Sequence, residues 1–311
     1  MKKMTKTLAV LLSVVLCAAL LGGCGSKKSS GKTGTNSTYA YLLDTTSLAK
    51  PKLDLSNPTG VLKDVLERGV LRIATSPDYP PAEFITEDGT VYGAEMMLAK
   101  YVADCLGVDL AIETMDFGGT LIAVQTGKVD LGVSGYGWKA DRAESFELTT
   151  GYIGDPDEAD YHTLIVPAGK EGEYSSCSDF VGKHILAQAG SLQQMYVEDQ
   201  ILTLDQENKT ELEFVATLDQ AILGLAAGKC DAVALDGTTA EQYVKQSEGK
   251  FALSGVHFDL SLYDDYEGTV MAIKKGETAF LELINSIIAT VKENGYYGEF
   301  YKTAKKQAGI E

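Results

Sequence analysis

The sequence predicts an α/β protein of two similar lobes, each with a central, mostly parallel sheet flanked by helices. The first observation is alternation: strand-like and helix-like segments follow one another from Val70 onward, the pattern of a parallel sheet covered on both faces. The second is a module that occurs twice, about a hundred residues apart. Leu121-Ile122-Ala123-Val124, the turn Gly127-Lys128-Val129-Asp130 and the strand Leu131-Gly132-Val133 lead to Ser134-Gly135. Ala221-Ile222-Leu223, the turn Gly228-Lys229-Cys230-Asp231 and the strand Ala232-Val233-Ala234 lead to Leu235-Asp236. The third is size, since roughly 250 residues beyond the N-terminal segment are too many for one small core and enough for two lobes.

Taken in order, Val61, Leu62, Val65 and Leu66 recur with the helical period, and Gly69 ends the run. Residues 70–75 read as a strand, followed by the loop Ser76-Pro77-Asp78-Tyr79-Pro80-Pro81-Ala82-Glu83-Phe84. After the turn dipeptide Asp88-Gly89, a helix over 94–106 is capped by Gly107, and a strand covers 109–114. The first module copy follows. A second series comprises an apolar strand at 164–166, a strand at 184–188, a helix at 192–202, a strand at 211–216 and the second copy; a strand at 269–273 and a helix at 278–294 close the chain. Residues 39–57 are a mixed segment, read as an extension lying on the surface. Ligands of such sheets bind outside the carboxyl ends of the strands, where Ser134 and Asp236 fall.

The N-terminus has its own logic. Lys2, Lys3 and Lys6 precede an apolar stretch from Leu8 to Leu21, which reads as a secretory signal too short for a transmembrane anchor. It ends in Leu21-Gly22-Gly23-Cys24, which resembles a bacterial lipobox and makes Cys24 the expected lipid-modified first residue of the mature chain. The plainer alternative is an ordinary cleaved signal. Residues 25–38 hold nothing able to join a core and read as a flexible tether.

Losing Lys2, Lys3 and Lys6 leaves 24 basic residues against 44 acidic ones, a formal charge of −20. That charge argues against nucleic acid and against an anionic lipid surface as partners. Of the remaining cysteines, Cys105, Cys177 and Cys230, the last opens an apolar strand and reads as a buried thiol. His162, His184 and His257 lack ligand-spaced partners, so neither a metal nor a cofactor is expected.

Two charged residues bracket the candidate site. Arg142 follows the first module's strand; a planar guanidinium fork suits a carboxylate, and the alternative is a surface Arg paired with Asp141 or Glu144. Asp236 ends an apolar strand, where a carboxylate needs a cation or must cap the helix that follows. Opposite charges on two lobes suit a small zwitterion. Gln188-Ala189-Gly190-Ser191-Leu192-Gln193 joins a strand to a helix start, a weak anion signal. Tyr79 and Phe117 read as aromatic walls or as ordinary packed aromatics.

The loop Asp78-Tyr79-Pro80-Pro81 with Glu83-Phe84, then Asp116-Phe117-Gly118-Gly119, Ser134-Gly135, Arg142-Ala143, Gln188-Ala189-Gly190-Ser191 and Asp236 together resemble the polar amino-acid binding proteins of bacterial ABC importers. The motifs agree in order over nearly the whole mature domain. The resemblance implies a periplasmic binding protein type 2-like fold, with crossovers at 160–163 and 262–267. It divides the chain into signal peptide 1–23, anchor, tether and extension 24–58, a first lobe of 59–162 with 263–311, and a second lobe of 163–262. It implies an extracytoplasmic, membrane-anchored, non-enzymatic lipoprotein that captures an amino acid and delivers it to a permease. Arg142 would hold the α-carboxylate and Asp236 the α-ammonium, Tyr79 and Phe117 would pack on the side chain, and Ser134, Gly135, Ser191 and Leu192 would add hydroxyl or backbone bonds. Gly137 departs from a frequent Thr, Ala82 from a frequent Phe, and Trp138 is unusual. Ser76 stands where some binders of basic amino acids have an acid, which argues against lysine or arginine. An enzyme on the same fold, dehydratase-like or cell-wall lytic, and a ligand-sensing module are the competing readings.

Overall fold

The structure, a computed structural model, describes Tyr39, Leu42 and residues 44–153, 161–263 and 268–310. The signal segment, Cys24, the tether, most of the acidic stretch 151–161 and most of the 262–267 crossover lie outside the described residues.

In chain order the elements are α1 (Gly60–Arg68), β1 (Val70–Thr75), β2 (Asp78–Tyr79), β3 (Glu83–Ile85), β4 (Val91–Tyr92), α2 (Ala94–Leu106), β5 (Asp109–Thr114), α3 (Phe117–Thr126), β6 (Leu131–Gly137), α4 (Ala140–Ser145) and β7 (Phe146–Leu148). They continue with β8 (His162–Pro167), β9 (His184–Gln188), α5 (Leu192–Gln200), β10 (Glu211–Val215), α6 (Leu218–Ala226), β11 (Ala232–Asp236), α7 (Gly237–Gln246), β12 (Phe251–His257), β13 (Thr269–Lys274), α8 (Thr278–Glu293) and α9 (Tyr296–Gln307).

Two five-stranded sheets share one design, with orders β5-β1-β6-β13-β7 and β10-β9-β11-β8-β12. In each, four strands run the same way and one, β13 or β8, runs against them and pairs antiparallel on both sides. β8 and β13 are the strands that arrive from the other sheet. A strand entering at the carboxyl edge must run back through the sheet, so each sheet is mostly parallel, as the sequence predicts, with this one reversed strand.

The local reasons are conventional. Asp116 accepts from the Gly119 N–H at 2.8 Å and so starts α3 at Phe117, ahead of the apolar run. Gly69, Gly107 and Gly127 close α1, α2 and α3 in the left-handed conformation. α8 buries Phe280, Leu283, Ile284, Ile287, Ile288 and Val291, an i, i+3, i+4 stripe against the first lobe's core. β6 runs on to Gly137 rather than stopping at Ser134-Gly135, because Tyr136 and Gly137 pair with Val270 and Thr269 of β13.

The N-terminal extension is more than a surface layer. Leu42 and Thr45 are fully buried, and Leu48, Leu53 and Leu55 pack on the first lobe's core. Thr45 donates to the Asp104 carboxylate, Lys50 Nζ to the Asp104 carbonyl at 2.7 Å, and Ala49 N–H to the Tyr296 hydroxyl at 3.0 Å. The strap therefore ties α2 to α9.

The repeated aspartates also turn out to be structural. Asp130 Oδ2 accepts from the Arg72 N–H at 2.8 Å, and Asp231 Oδ2 accepts from the His184 N–H at 2.8 Å. Each thus fastens its own turn to the neighbouring parallel strand. Asp130, 3 % exposed, is further held by the guanidinium groups of Arg68 and Arg72, so it belongs to the interior and not to surface turn chemistry. Cys230 is buried as expected, and burial pushes its thiol up to about 11.

Candidate functional site

β6 and the short helix α4 deliver Arg142 to the seam between the lobes. It is 6 % exposed, with its guanidinium 5.8 Å from the Phe117 ring centre and 5.6 Å from that of Tyr136. Its Nη1 donates to the Gly137 carbonyl, and its Nη2 donates across the seam to the Gly190 carbonyl at 2.8 Å. Among the described residues no carboxylate lies within ion-pair distance of the guanidinium; Asp141 instead pairs with Lys139 at 3.6 Å. The surface-pair alternative therefore fails. Burial lowers the Arg142 pKa from its ordinary value, with Tyr136 and Asp141 acting in the opposite direction.

β11 carries Asp236 to the same seam from the second lobe. Its Oδ1 accepts from the Thr239 N–H at 3.0 Å and caps α7, while its Oδ2 is buried without a hydrogen-bond partner among the described residues. Burial raises its carboxyl pKa, opposed by Thr239 and the Tyr79 hydroxyl. Tyr79 packs against the second lobe's core, and its ring lies against Gly135. Gly135 has φ of +57°, and a Cβ there would sit 3.2 Å from the Tyr79 ring.

Behind Gly135 lies a buried acid pair. Glu95 Oε2 accepts from the Gly135 N–H at 2.8 Å and its Oε1 from the Tyr152 hydroxyl. Ser134 Oγ accepts from the Ser76 N–H at 2.9 Å and donates to Glu83 Oε1 at 3.4 Å, so this hydroxyl is already engaged within the first lobe. Glu83 is held well above the usual carboxylate range, first by burial and then by the Glu95 and Asp78 charges. It belongs to the wall of the site, and the Glu-Phe of its loop was the only sign in the sequence.

On the second lobe, Ser191 caps α5 by accepting from the Gln194 N–H at 3.1 Å. Leu192, the first residue of α5, has an N–H that no helical carbonyl can reach. Its side chain fills the space next to Gly137, where any Cβ would overlap it. Gln193 Nε2 meets His162 Nδ1 at 2.9 Å, and burial pushes that imidazole down to about 4, leaving it neutral at pH 7. Arg142, Phe117, Leu192, Tyr79, Gly135, Ser134, Ser191 and Asp236 thus converge on one seam.

The seam is closed. Thr239 Oγ1 donates to the Pro80 carbonyl at 3.0 Å, and Lys245 Nζ donates to the carbonyls of Gly309 and Ile310 at 2.9 and 3.0 Å. Beside Leu192, a cavity of about 560 Å³ is lined by Trp138, Met195, Tyr196 and Tyr263. Away from the seam, strand pairing brings His184 Nε2 to 3.1 Å from Glu213 and 3.9 Å from Glu211, a grouping that residue spacing did not reveal. Both glutamates are exposed, and a surface hydrogen bond accounts for the contact.

Two lobes of matched topology, closed over buried groups of opposite charge, define a binding protein of the type 2 periplasmic class. The chain belongs to the bacterial extracellular solute-binding proteins, family 3, whose profile matches residues 71–306. It is 24 % identical over 239 residues to the L-cystine-binding protein TcyJ of Escherichia coli, covering 76 % of this chain and 82 % of that one. It is 25 % identical over 236 residues to the arginine-binding extracellular protein ArtP of Bacillus subtilis, covering 76 % of this chain and 80 % of that one. Among solved structures, an amino acid ABC transporter substrate-binding protein, AbpA of Streptococcus pneumoniae, bound to L-arginine, superposes with a TM-score of 0.70. It is 27 % identical, and the match covers 79 % of this chain and 98 % of that one.

Proposed function

We propose that the protein captures a free amino acid or close analogue in this seam, without turnover, and delivers it to the permease of an ABC importer. The observation that carries the reading is a buried guanidinium with no carboxylate, in the same seam as a buried carboxylate with an unpartnered oxygen. Such groups are costly unless a ligand of complementary charge completes them. Arg142 takes the α-carboxylate and Asp236 the α-ammonium. Tyr79 and Phe117 form walls, and the carbonyl of Gly135 and the N–H groups at the Ser191-Leu192 helix start supply further bonds. The lobes comprise 59–162 with 263–311, and 163–262. Lipid on Cys24 holds the protein at the extracytoplasmic face of the membrane.

Relatives named for cystine, arginine and histidine binding support the ligand class. The hydroxyl of Ser76 is committed to Asp78 at 2.9 Å and brings no charge of its own, which favours a ligand whose side chain is not cationic. Thermal shift against the standard amino acids and cystine tests the proposal. At a hundred times the dissociation constant the ligand adds about 2.7 kcal/mol, whereas a flat response to the whole panel would sink it. Recovery of the ligand unchanged after prolonged incubation, by mass spectrometry, separates capture from turnover.

A further inference from the structure

Asp78 was not singled out in the sequence, yet it makes the densest polar contact across the seam. It sits on β2 of the first lobe, and its carboxylate reaches into the second. Oδ2 accepts from the Leu218 N–H at 2.7 Å and from Gln188 Nε2 at 3.2 Å, while Oδ1 accepts from Ser76 Oγ at 2.9 Å. Its backbone carbonyl accepts from the Tyr243 hydroxyl at 3.2 Å.

We propose that Asp78 is the closure latch of the protein, a positioning residue whose carboxylate docks on the N-terminus of α6 and so sets how long a captured ligand stays. The inference rests on the amino-acid-capture reading only for that last clause.

The geometry is complementary from both sides. Leu218 is the first residue of α6, so its N–H has no helical acceptor, and the cap residue Thr217 serves Gln220 instead, at 3.3 Å. A carboxylate at that position also faces the positive end of the helix dipole. Gln188 is oriented by a second bond from its Nε2 to the Ala216 carbonyl at 3.3 Å, so its amide nitrogen is already turned toward the seam. Ser76 presets the carboxylate on its own lobe, which reduces the ordering lost on closure. With its acceptors engaged by these donors, Asp78 works on the lobes and not on the ligand.

Opening would leave the carboxylate, the amide and the helix N–H to water; closing exchanges these for charge-assisted bonds in a dry seam. Such a latch slows escape, because its bonds form only after the lobes meet. Where it holds the ligand-free lobes together it also delays entry, since a ligand binds only while the latch is open.

The test uses the full-length protein with Asp78→Asn, Asp78→Ala and Gln188→Met. Small-angle scattering of the ligand-free protein needs no ligand: the wild type should scatter as the closed form and the Asp78 variants as a more open one. With L-cystine and L-arginine as probes, the dissociation rate should rise about ten- to a hundredfold, and the association rate should rise with the open fraction and not fall. Asp78→Asn with Gln188→Met should be less than additive, since both act on one contact. Variants that scatter as the wild type and release the probe at its rate overturn the latch. If neither probe binds any of the proteins, the ligand assignment fails and the scattering alone decides Asp78.

Discussion

Leu192 of the second lobe occupies the space that any side chain at Gly137 of the first lobe would need. The missing hydroxyl at that position is therefore not a vacancy, because an apolar side chain from the facing helix has taken the volume. Gly137→Ala should lower affinity about tenfold, in line with the roughly 1–3 kcal/mol of overpacking. Adding Leu192→Ala should recover most of it. Calorimetric titration of the single and double variants checks the coupling; equal losses in both would show that the two residues act independently.

Arg142→Ala should weaken ligand binding by at least about a hundredfold, within the roughly 2–5 kcal/mol expected for truncating a buried charged partner. Arg142→Lys should recover little, because a point charge cannot reproduce the fork. Melting of the ligand-free variant should shift by only a few degrees. A variant that melts normally and binds normally would make Arg142 a brace for Gly137 and Gly190 alone.

Glu83 makes stability depend on pH in a definite direction. Its folded pKa lies well above the unfolded 4.5, so the ligand-free fold holds a proton that the unfolded chain releases. The stability tied to that proton is complete below 4.5 and is lost as pH rises through the folded value. Glu83→Gln stays neutral and should flatten this fall. Thermal denaturation across that window, wild type against variant, gives the answer, and parallel curves would place the dependence elsewhere.

The two module aspartates should differ in worth although they make the same backbone bond. Asp130→Ala leaves Arg68 and Arg72 without their buried acceptor and should cost about 3 kcal/mol or more. Asp231 is exposed and its removal should cost about 1 kcal/mol. Urea denaturation measures both, and affinity should follow neither.

Trp138 is the only tryptophan and lines the cavity beside Leu192. Its emission should therefore change as the lobes open and close, and Trp138→Phe should silence the signal. An emission spectrum unaltered at saturating ligand would mean that the indole does not sense the seam.

Much of this was legible beforehand for physical reasons. α2 and β5 are bounded by glycine caps and continuous apolar runs, so periodicity alone placed them at 94–106 and 109–114. β7 and β12 escaped, because Glu147 in one and Ser254 and Gly255 in the other interrupt the apolar pattern that an antiparallel partner tolerates. In the site, Arg142 and Asp236 stood out as charges at strand ends. Asp78, Gln188 and Glu95 did not, because their roles depend on which groups meet across the seam or behind β6, and nothing local encodes that. The interior role of Asp130 was hidden for a similar reason: its partners Arg68 and Arg72 lie about sixty residues upstream, brought close by the pairing of parallel strands.

The N-terminal strap has a mechanical consequence. Among the described residues, Leu42, Thr45, Ala49 and Lys50 grip α2, α9 and the core beneath them, so a load entering along this segment would pass into the first lobe. With the anchoring proposed above, that lobe would be the stator and the second the rotor. A protein held by its upstream chain would present one fixed face to its surroundings and sweep the other, so the state of the seam would be displayed as the position of a single moving part.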